Sequence, residues 1–196
     1  RHGLACRRAV AEFGVMRGYF GIGVEGISKP MNVGNLFRTA HAFGASFLFT
    51  VREDYSWRKG GQAATSAAPE HVPLFNFPDI EGIRLPGGCR LVGVELTSDA
   101  IELPSFRHPN RAAYVLGPER GSLSPALLAC CHSVVRVPTR FCVNVGVAGA
   151  LVMYDRLLTT GRFAERPVAA GGPNEPPAVH VHGLPIRRKP AVPGGD

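Results

Sequence analysis

Short, almost entirely apolar segments alternate along this sequence with segments whose apolar residues recur at helical spacing. Five of the apolar segments have the length and composition of buried strands, namely residues 21–27, 46–51, 90–96, 111–116 and 133–137. Strands that are apolar on both faces are typical of parallel sheets that helices cover on both sides. The alternation therefore predicts an α/β fold with a mostly parallel sheet and helices on both faces.

The first and last helices are marked by an asparagine before each apolar pattern. Asn32 is a suitable N-cap for a helix that runs to about Phe43, where Gly44 would end it. Asn144 is placed in the same way before a helix that runs to about Leu158. Both helices are expected to follow strands directly.

The middle of the chain has weaker helix signals. Ser124 followed by Pro125 indicates a helix start, since proline is well suited to the first helical position. Residues 78–84 are compatible with a short helix. Residues 52–71 have a loop-like composition, with a glycine pair as a flexible point.

The composition divides the chain into a folded segment with two flanking regions. Residues 18–160 carry the apolar patterns and are expected to form one domain, with residues 1–17 as an N-terminal extension. In residues 161–196 proline and glycine recur and apolar periodicity ends, which predicts a disordered tail. The net charge of +7 favours a polyanionic partner, although much of it lies in the two flanking regions.

Several classes of protein are disfavoured by simple absences. The sequence contains no apolar run of about eighteen residues, so no membrane span is expected. The first residues lack an apolar signal-peptide core, which makes a cytoplasmic protein the expectation. Five cysteines without Cys-x-x-Cys spacing argue against a disulfide framework or a zinc site. For Cys130-Cys131-His132 we favour core packing over metal binding, because adjacent cysteines do not easily bind one ion.

The stretch Gly21-Ile22-Gly23-Val24-Glu25-Gly26 matches the dinucleotide-binding pattern Gly-x-Gly-x-x-Gly. That motif requires its glycines to follow a strand and to open a helix. Here the glycines lie within the predicted strand, Pro30 follows, and the expected acidic residue about twenty positions on is missing. A nicotinamide-dependent oxidoreductase is therefore a disfavoured alternative.

Three further stretches lie beside predicted strand ends, where open α/β sheets bind ligands. They are Asn32-Val-Gly-Asn-Leu-Phe-Arg38-Thr-Ala, Leu116-Gly-Pro-Glu119-Arg-Gly121 and Val137-Pro-Thr-Arg-Phe-Cys142-Val-Asn144. In this order they resemble the three motifs of the SpoU (TrmH-like) RNA 2′-O-ribose methyltransferase family of the SPOUT superfamily. The resemblance covers roughly residues 18–160.

The resemblance implies an S-adenosylmethionine-dependent 2′-O-methyltransferase that acts on RNA, with transfer RNA favoured over ribosomal RNA. It also implies a SPOUT-type fold with a C-terminal trefoil knot, and a homodimer whose active site is shared across the interface. No metal is implied.

Four residues are implied to take part in catalysis: Arg38, Asn32, Glu119 and Asn144. By resemblance, Arg38 draws the proton from the 2′-hydroxyl. Because a guanidinium is a poor base, this role requires help, such as a phosphate of the RNA that relays the proton. The simpler alternative is that Arg38 only clamps a phosphate.

The other three catalytic candidates each have a structural alternative. Asn32 either orients Arg38 or the substrate, or only caps its helix. Glu119 either hydrogen-bonds near the substrate or Asn144, or compensates a helix dipole. Asn144 would cap the last helix and direct its amide into the site, and Arg120 is a further candidate for a phosphate contact.

By resemblance, the cofactor would be held largely by backbone at the end of the strand predicted over residues 90–96 and in the second and third motifs. The residues implied are Glu95, Leu96, Thr97, Leu116, Gly117, Val137, Thr139, Cys142, Val143 and Asn144.

The third motif departs from the family in two places. The usual Ser-Leu-Asn or Ser-Met-Asn is replaced by Cys142-Val143-Asn144, and the loop before it is about three residues shorter. These changes keep open the alternative of a catalytically inactive, SPOUT-like RNA-binding module. One face of the last helix is expected to pack against the core or a partner. Its residues are Val143, Val147, Leu151 and Tyr154.

Overall fold

The computed structural model describes residues 18–26, 30–52, 68–118 and 121–161, together with 163, 166–167 and 170–172. The chain divides into two compact units, Arg17–Gly161 and a second that combines Arg1–Met16 with Arg162–Asp196. Every helix and strand below belongs to the first unit. The predicted N-terminal extension and most of the predicted tail lie outside the described residues.

The first unit is built on a parallel sheet, as the apolar strands predicted. Its strand order is β3-β2-β1-β6-β4-β7-β5, and every described strand pairing is parallel. The strands are β1 Tyr19–Glu25, β2 Phe47–Val51, β3 Leu74–Phe77, β4 Arg90–Val94, β5 Ile101–Glu102, β6 Arg111–Leu116 and β7 Ser133–Arg136.

Helices cover both faces of this sheet, which confirms the predicted fold class. They are α1 Pro30–Ala42, α2 Ala68–His71, α3 Pro125–Cys130 and α4 Val145–Thr160, and a single 3-10 turn spans Leu103–Ser105. Side chains of α1 and α4 pack with Ile22 and Val24 of β1 in one core cluster. Leu127 of α3 packs with Phe47 and Phe49 of β2 in a second cluster. The predicted trefoil knot stays a prediction.

Two glycines of the Gly-x-Gly-x-x-Gly string have a packing role inside β1. A Cβ on Gly21 would lie 2.2 Å from the Phe47 ring, and one on Gly23 would lie 2.3 Å from the backbone oxygen of Phe49. Residue pairing aligns each glycine with the corresponding phenylalanine of β2. The glycines therefore make room for aromatic rings and do not open a nucleotide-binding helix.

Three local predictions were wrong. Helix α1 begins at Pro30, so Asn32 lies in its first turn and is not the N-cap; a proline fits that first turn well. Residues 78–84 form turns instead of a helix, because the Asp79 carboxylate accepts a hydrogen bond from Gly82 N at 2.6 Å. The loop predicted for residues 52–71 ends in helix α2, and residues 53–67 lie outside the described part of the chain.

Strands β3 and β5 were not predicted. Both lie at edges of the sheet, and each is short. Their pairing with β2 and β7 supplies the hydrogen bonds that define them, and such pairing leaves little trace in local sequence.

The second half of α4 is anchored to the amino end of the sheet by a buried arginine. Arg156 is 3% exposed, and its guanidinium donates to the carbonyl oxygens of Pro109 at 2.6 Å and Asn110 at 2.9 Å. It also donates to the Tyr114 hydroxyl at 3.3 Å. These bonds join α4 to the segment that leads into β6.

A buried histidine completes this network. His108 Nδ1 lies 2.6 Å from the Tyr114 hydroxyl, and Nε2 lies 2.9 Å from Asp155 Oδ2. Burial lowers the pKa of His108 below its ordinary value and raises the pKa of Tyr114 to about 12. The imidazole is therefore neutral in the folded chain at neutral pH.

Within the described residues, no helix is long and apolar enough to cross a bilayer.

The lowered pKa of His108 predicts that stability decreases as the pH falls. The unfolded chain binds this proton at the ordinary pKa of 6.5, whereas the folded chain resists it, so stability is lost as the pH drops below that value. Urea unfolding at about pH 7.5 and about pH 5.5 measures the effect. The wild type should be the more stable at the higher pH, and its advantage over His108→Gln should shrink at the lower one. An advantage that stays constant would contradict the prediction.

Candidate active site

A cleft lies at the carboxyl ends of three adjacent strands, β6, β4 and β7. Its walls come from the residues that follow each strand and from the first turns of α4. The described lining residues are Val94, Glu95, Leu96, Leu116, Gly117, Pro118, Gly121, Arg136, Val137, Thr139, Cys142, Val143, Val145 and Ala148. The carboxyl ends of parallel strands are where open α/β sheets bind ligands, so this cleft is the leading candidate site.

Eight of the ten residues predicted to bind a cofactor line this cleft. They are Glu95, Leu96, Leu116, Gly117, Val137, Thr139, Cys142 and Val143. Thr97 is not among the described lining residues, and its hydroxyl is buried without a hydrogen-bond partner in the described part of the chain. The tenth residue, Asn144, lies on the other side of the start of α4.

Asn144 is the N-cap of α4, as predicted. Its Oδ1 accepts a hydrogen bond from Gly146 N at 2.8 Å. Together with Asn35 and Thr39 of α1, it lines a second, shallow groove between α1 and α4. The start of α4 therefore separates the cleft from this groove.

The first and third motifs meet where α1 and α4 pack together. A Cβ on Gly149 would lie 2.2 Å from Leu36 Cδ1, so the two helices approach closely because this residue lacks a side chain. A Cβ on Gly146 would lie 3.7 Å from the backbone oxygen of Asn32. The starts of both helices are thus neighbours beside the cleft.

The remaining catalytic candidates are not among the described residues that line the cleft. Arg38 is exposed on α1 and is not among the described residues that line the cleft or the groove. Asn32 is half-buried in the first turn of α1. Glu119 and Arg120 lie outside the described residues. The structure therefore brings the second and third motifs together around the cleft and places the first motif beside it.

One wall of the cleft is the loop between β6 and α3, and Glu95 holds that loop. Its Oε2 accepts a hydrogen bond from Leu123 N at 2.7 Å, and its Oε1 accepts one from Leu96 N at 2.8 Å. Gly117 makes this approach possible, since a Cβ there would lie 2.8 Å from Leu123 N and 3.3 Å from Glu95 Oε2. The carboxylate of Glu95 thus supports the wall that the second motif forms.

The charge of the cleft is set by few side chains. Among the described lining residues only Glu95 and Arg136 are charged at neutral pH. Arg136 donates to Glu102 Oε1 at 3.1 Å, so its charge is balanced by a neighbour. The net local charge favours a cationic or neutral ligand over a polyphosphate.

Six lining residues were not among the predicted ones: Val94, Pro118, Gly121, Arg136, Val145 and Ala148. Val94 and Arg136 end their strands, and strand-end position was a usable signal for both. Val145 and Ala148 belong to α4, and their place in the wall depends on how that helix packs.

The Cys130-Cys131-His132 stretch lies at the amino end of the sheet. Its side chains make separate contacts. The Cys131 thiol donates to the Leu127 oxygen at 3.3 Å, and burial raises its pKa to about 11. His132 Nδ1 accepts from Leu91 N at 3.2 Å. Within the described residues, no group of three His, Cys, Asp or Glu side chains is arranged to hold a metal ion.

Comparison with known proteins agrees with this geometry. The model of the SpoU rRNA methylase family matches residues 20–154. A mouse protein, tRNA (guanosine(18)-2'-O)-methyltransferase TARBP1, is 27% identical over 137 residues, which cover 66% of this chain and 9% of the mouse protein. The chain thus corresponds to a small part of that relative.

Solved structures share the fold. The SpoU methyltransferase AviRb from Streptomyces viridochromogenes, solved in complex with the cofactor AdoMet, superposes with a TM-score of 0.63 at 21% identity, over 78% of this chain and 63% of AviRb. The TrmH/SpoU tRNA modifying enzyme of A. aeolicus gives a TM-score of 0.58 at 14% identity, over 74% of this chain and 78% of that one.

Proposed function

Because the chain belongs to the SpoU rRNA methylase family, we propose that it transfers a methyl group from S-adenosylmethionine to a ribose 2′-hydroxyl of RNA. The observation that carries the proposal is the convergence of the second and third motifs on one cleft at the carboxyl ends of β4, β6 and β7. Methyl transfer of this kind needs little covalent chemistry from a protein. Positioning and electrostatics carry the catalysis.

The cleft fits S-adenosylmethionine in its chemistry. Leu96, Leu116 and Val137 provide apolar surface for an adenine ring, and Glu95 adds a carboxylate to the lining of the cleft. When bound, S-adenosylmethionine supplies an electrophilic methyl group on a sulfonium ion. A nicotinamide dinucleotide is disfavoured because the glycines of the Gly-x-Gly-x-x-Gly string lie inside β1 and do not open a helix.

Arg38 is the residue we assign to the ribose. It is exposed on α1, next to Thr39, which lines the α1–α4 groove. The 2′-hydroxyl must lose its proton as its oxygen bonds to the methyl carbon and the carbon–sulfur bond breaks. Since a guanidinium stays protonated in proteins, Arg38 acts with a phosphate of the RNA that relays the proton to solvent.

We favour transfer RNA as the substrate, because the mouse relative is named for methylation of a guanosine in tRNA. The inactive RNA-binding alternative rests on Cys142, where the family has serine. Cys142 nevertheless lines the cleft with its motif neighbours Thr139 and Val143. The altered motif therefore still contributes to a formed site, which supports the active enzyme.

We further propose that the chain forms a homodimer through the α1–α4 groove. Three apolar side chains of α4 that line this groove are exposed: Val147 and Tyr154 each at 50%, and Leu151 at 38%. A contiguous apolar strip of this kind is typical of a protein interface. A second copy seated there would lie beside Thr39 and its neighbour Arg38, consistent with a site shared between subunits.

The role of Arg38 is tested by Arg38→Ala. The substitution should abolish methyl transfer to RNA and leave the dissociation constant for S-adenosylmethionine within about threefold of wild type, because Arg38 is not a cleft residue. Labelled methyl incorporation and calorimetry measure the two effects. Arg90→Ala, which removes an exposed arginine at the amino end of β4, is the matched control and should keep activity. Equal loss of both properties in Arg38→Ala would show that the role is wrong.

The importance of the second motif is tested by Gly117→Val. The added side chain would collide with the backbone of Leu123 and displace the loop, so the affinity for S-adenosylmethionine should fall by about tenfold or more. Gly87→Val is the control, since no described atom lies within 4 Å of a Cβ at that position. Calorimetry that shows unchanged affinity for Gly117→Val would refute the assignment.

The dimer is tested by Leu151→Glu, which places a charge in the apolar groove. The wild type should sediment as a dimer and the variant as a monomer, because an unpaired buried charge opposes association. Ala129→Glu changes an exposed residue of α3 and should leave the dimer intact. A wild-type chain that sediments as a monomer at high concentration would overturn the proposal.

A further inference from the structure

A buried carboxylate lies in the crevice where the strand order reverses. From β1 the chain proceeds through α1 to β2 on one side, and from β6 it proceeds through α3 to β7 on the other. The crevice between β1 and β6 is the position where doubly wound sheets usually bind a ligand. In this chain Glu25, the last residue of β1, lies there and is 5% exposed.

Glu25 holds the start of helix α3. Its Oε2 accepts a hydrogen bond from Ser124 N at 2.7 Å, and its Oε1 accepts one from the Ser124 hydroxyl at 2.5 Å. Ser124 is the N-cap of α3, and its oxygen also accepts from Leu127 N at 3.3 Å. The carboxylate therefore fixes the point at which the loop after β6 becomes helix.

A second carboxylate holds the neighbouring residue from the opposite side. Glu95, which follows β4, accepts from Leu123 N. Because β1 and β4 are the two neighbours of β6 in the sheet, the loop after β6 is bound from both flanks. Leu123 and Ser124 are adjacent in sequence, so two acidic side chains determine where one short segment lies.

The two carboxylates differ in their relation to the cleft. Glu95 lines the cleft, whereas Glu25 is not among the described residues that line it. The loop between them carries Gly117, Pro118 and Gly121, which do line it. Glu25 can therefore influence a ligand in the cleft only through the loop that it fixes.

We propose that Glu25 is a positioning residue for donor binding, which sets the loop of the second motif through Ser124. The inference rests on the proposed function, since it takes S-adenosylmethionine as the ligand of the cleft.

Arg52 contributes little to this arrangement. Its Nη1 lies 3.7 Å from Glu25 Oε1, and its side chain is 56% exposed, so solvent screens the pair. The hydrogen bonds to Ser124 are shorter, at 2.7 and 2.5 Å, and partly buried. They are accordingly the contacts on which the position of the loop depends.

The test compares Glu25→Ala with Glu25→Gln in the full chain. Loss of charged hydrogen bonds in Glu25→Ala should weaken S-adenosylmethionine binding about tenfold or more in calorimetry. It should also speed amide hydrogen exchange in a peptide that covers residues 117–124. Glu25→Gln keeps an oxygen to accept from Ser124 N and should bind within about threefold of wild type with near-normal exchange.

His108→Gln is the control for general loss of stability, because it disrupts a buried network at the other end of the sheet. Its affinity for S-adenosylmethionine should equal that of the wild type. An equal loss of affinity in His108→Gln and Glu25→Ala would overturn the inference, since both would then act through stability alone.

The remaining outcomes separate the inference from the proposed function. If the wild type binds S-adenosylmethionine and Glu25→Ala binds it equally well, the inference alone fails. If the wild type does not bind it, the proposed function fails and the inference fails with it. Should Glu25→Ala not fold, Ser124→Ala, which removes one of the two hydrogen bonds, takes its place. Several-fold weaker binding then supports the inference, and wild-type affinity overturns it.

Discussion

The hydrogen bonds from the backbone amides of Leu123 and Ser124 to the carboxylates of Glu95 and Glu25 are the contacts on which the candidate site depends. They hold the loop that follows β6 between two neighbouring strands. Both hydrogen bonds are partly buried and have a charged acceptor, so breaking them would leave a carboxylate with fewer partners. Leu123 and Ser124 are therefore held in place beside Gly117, which lines the cleft together with Pro118 and Gly121. The methyl transfer proposed for the cleft rests on membership of the SpoU family.

Helix α4 connects this site to the rest of the sheet. Its first turns form a wall of the cleft and one side of the α1–α4 groove. Its second half is fixed by Arg156, which donates to backbone oxygens at the amino end of the sheet. The helix is thus anchored at the amino end of the sheet, and its apolar side chains Val147, Leu151 and Tyr154 are exposed in the groove. The network that stabilises α4 and the residues that line the cleft thus lie at opposite ends of the sheet.

Much of the fold was predictable because apolar content is a local signal. Strands β1, β2, β4, β6 and β7 follow from it, and the N-caps Ser124 and Asn144 mark the starts of α3 and α4, whereas β3 and β5 depend on pairing with distant strands. The glycines of β1 could be excluded from nucleotide binding by their position, but the reason for them, two phenylalanine rings of β2, is a tertiary contact. Most of the cleft was predictable from motifs at strand ends. The role of Glu25 was not, because its partner Ser124 is 99 residues away in sequence.

Whether the cleft binds the methyl donor can be read from amide hydrogen exchange of the full chain with and without saturating S-adenosylmethionine. Exchange should slow on addition of the donor in the segments 94–97, 116–123 and 137–143, since residues of each segment line the cleft. Exchange around His108 and Arg111, at the amino end of the sheet, should not change. Protection confined to the amino end, or no protection at any of the three segments, would contradict the account.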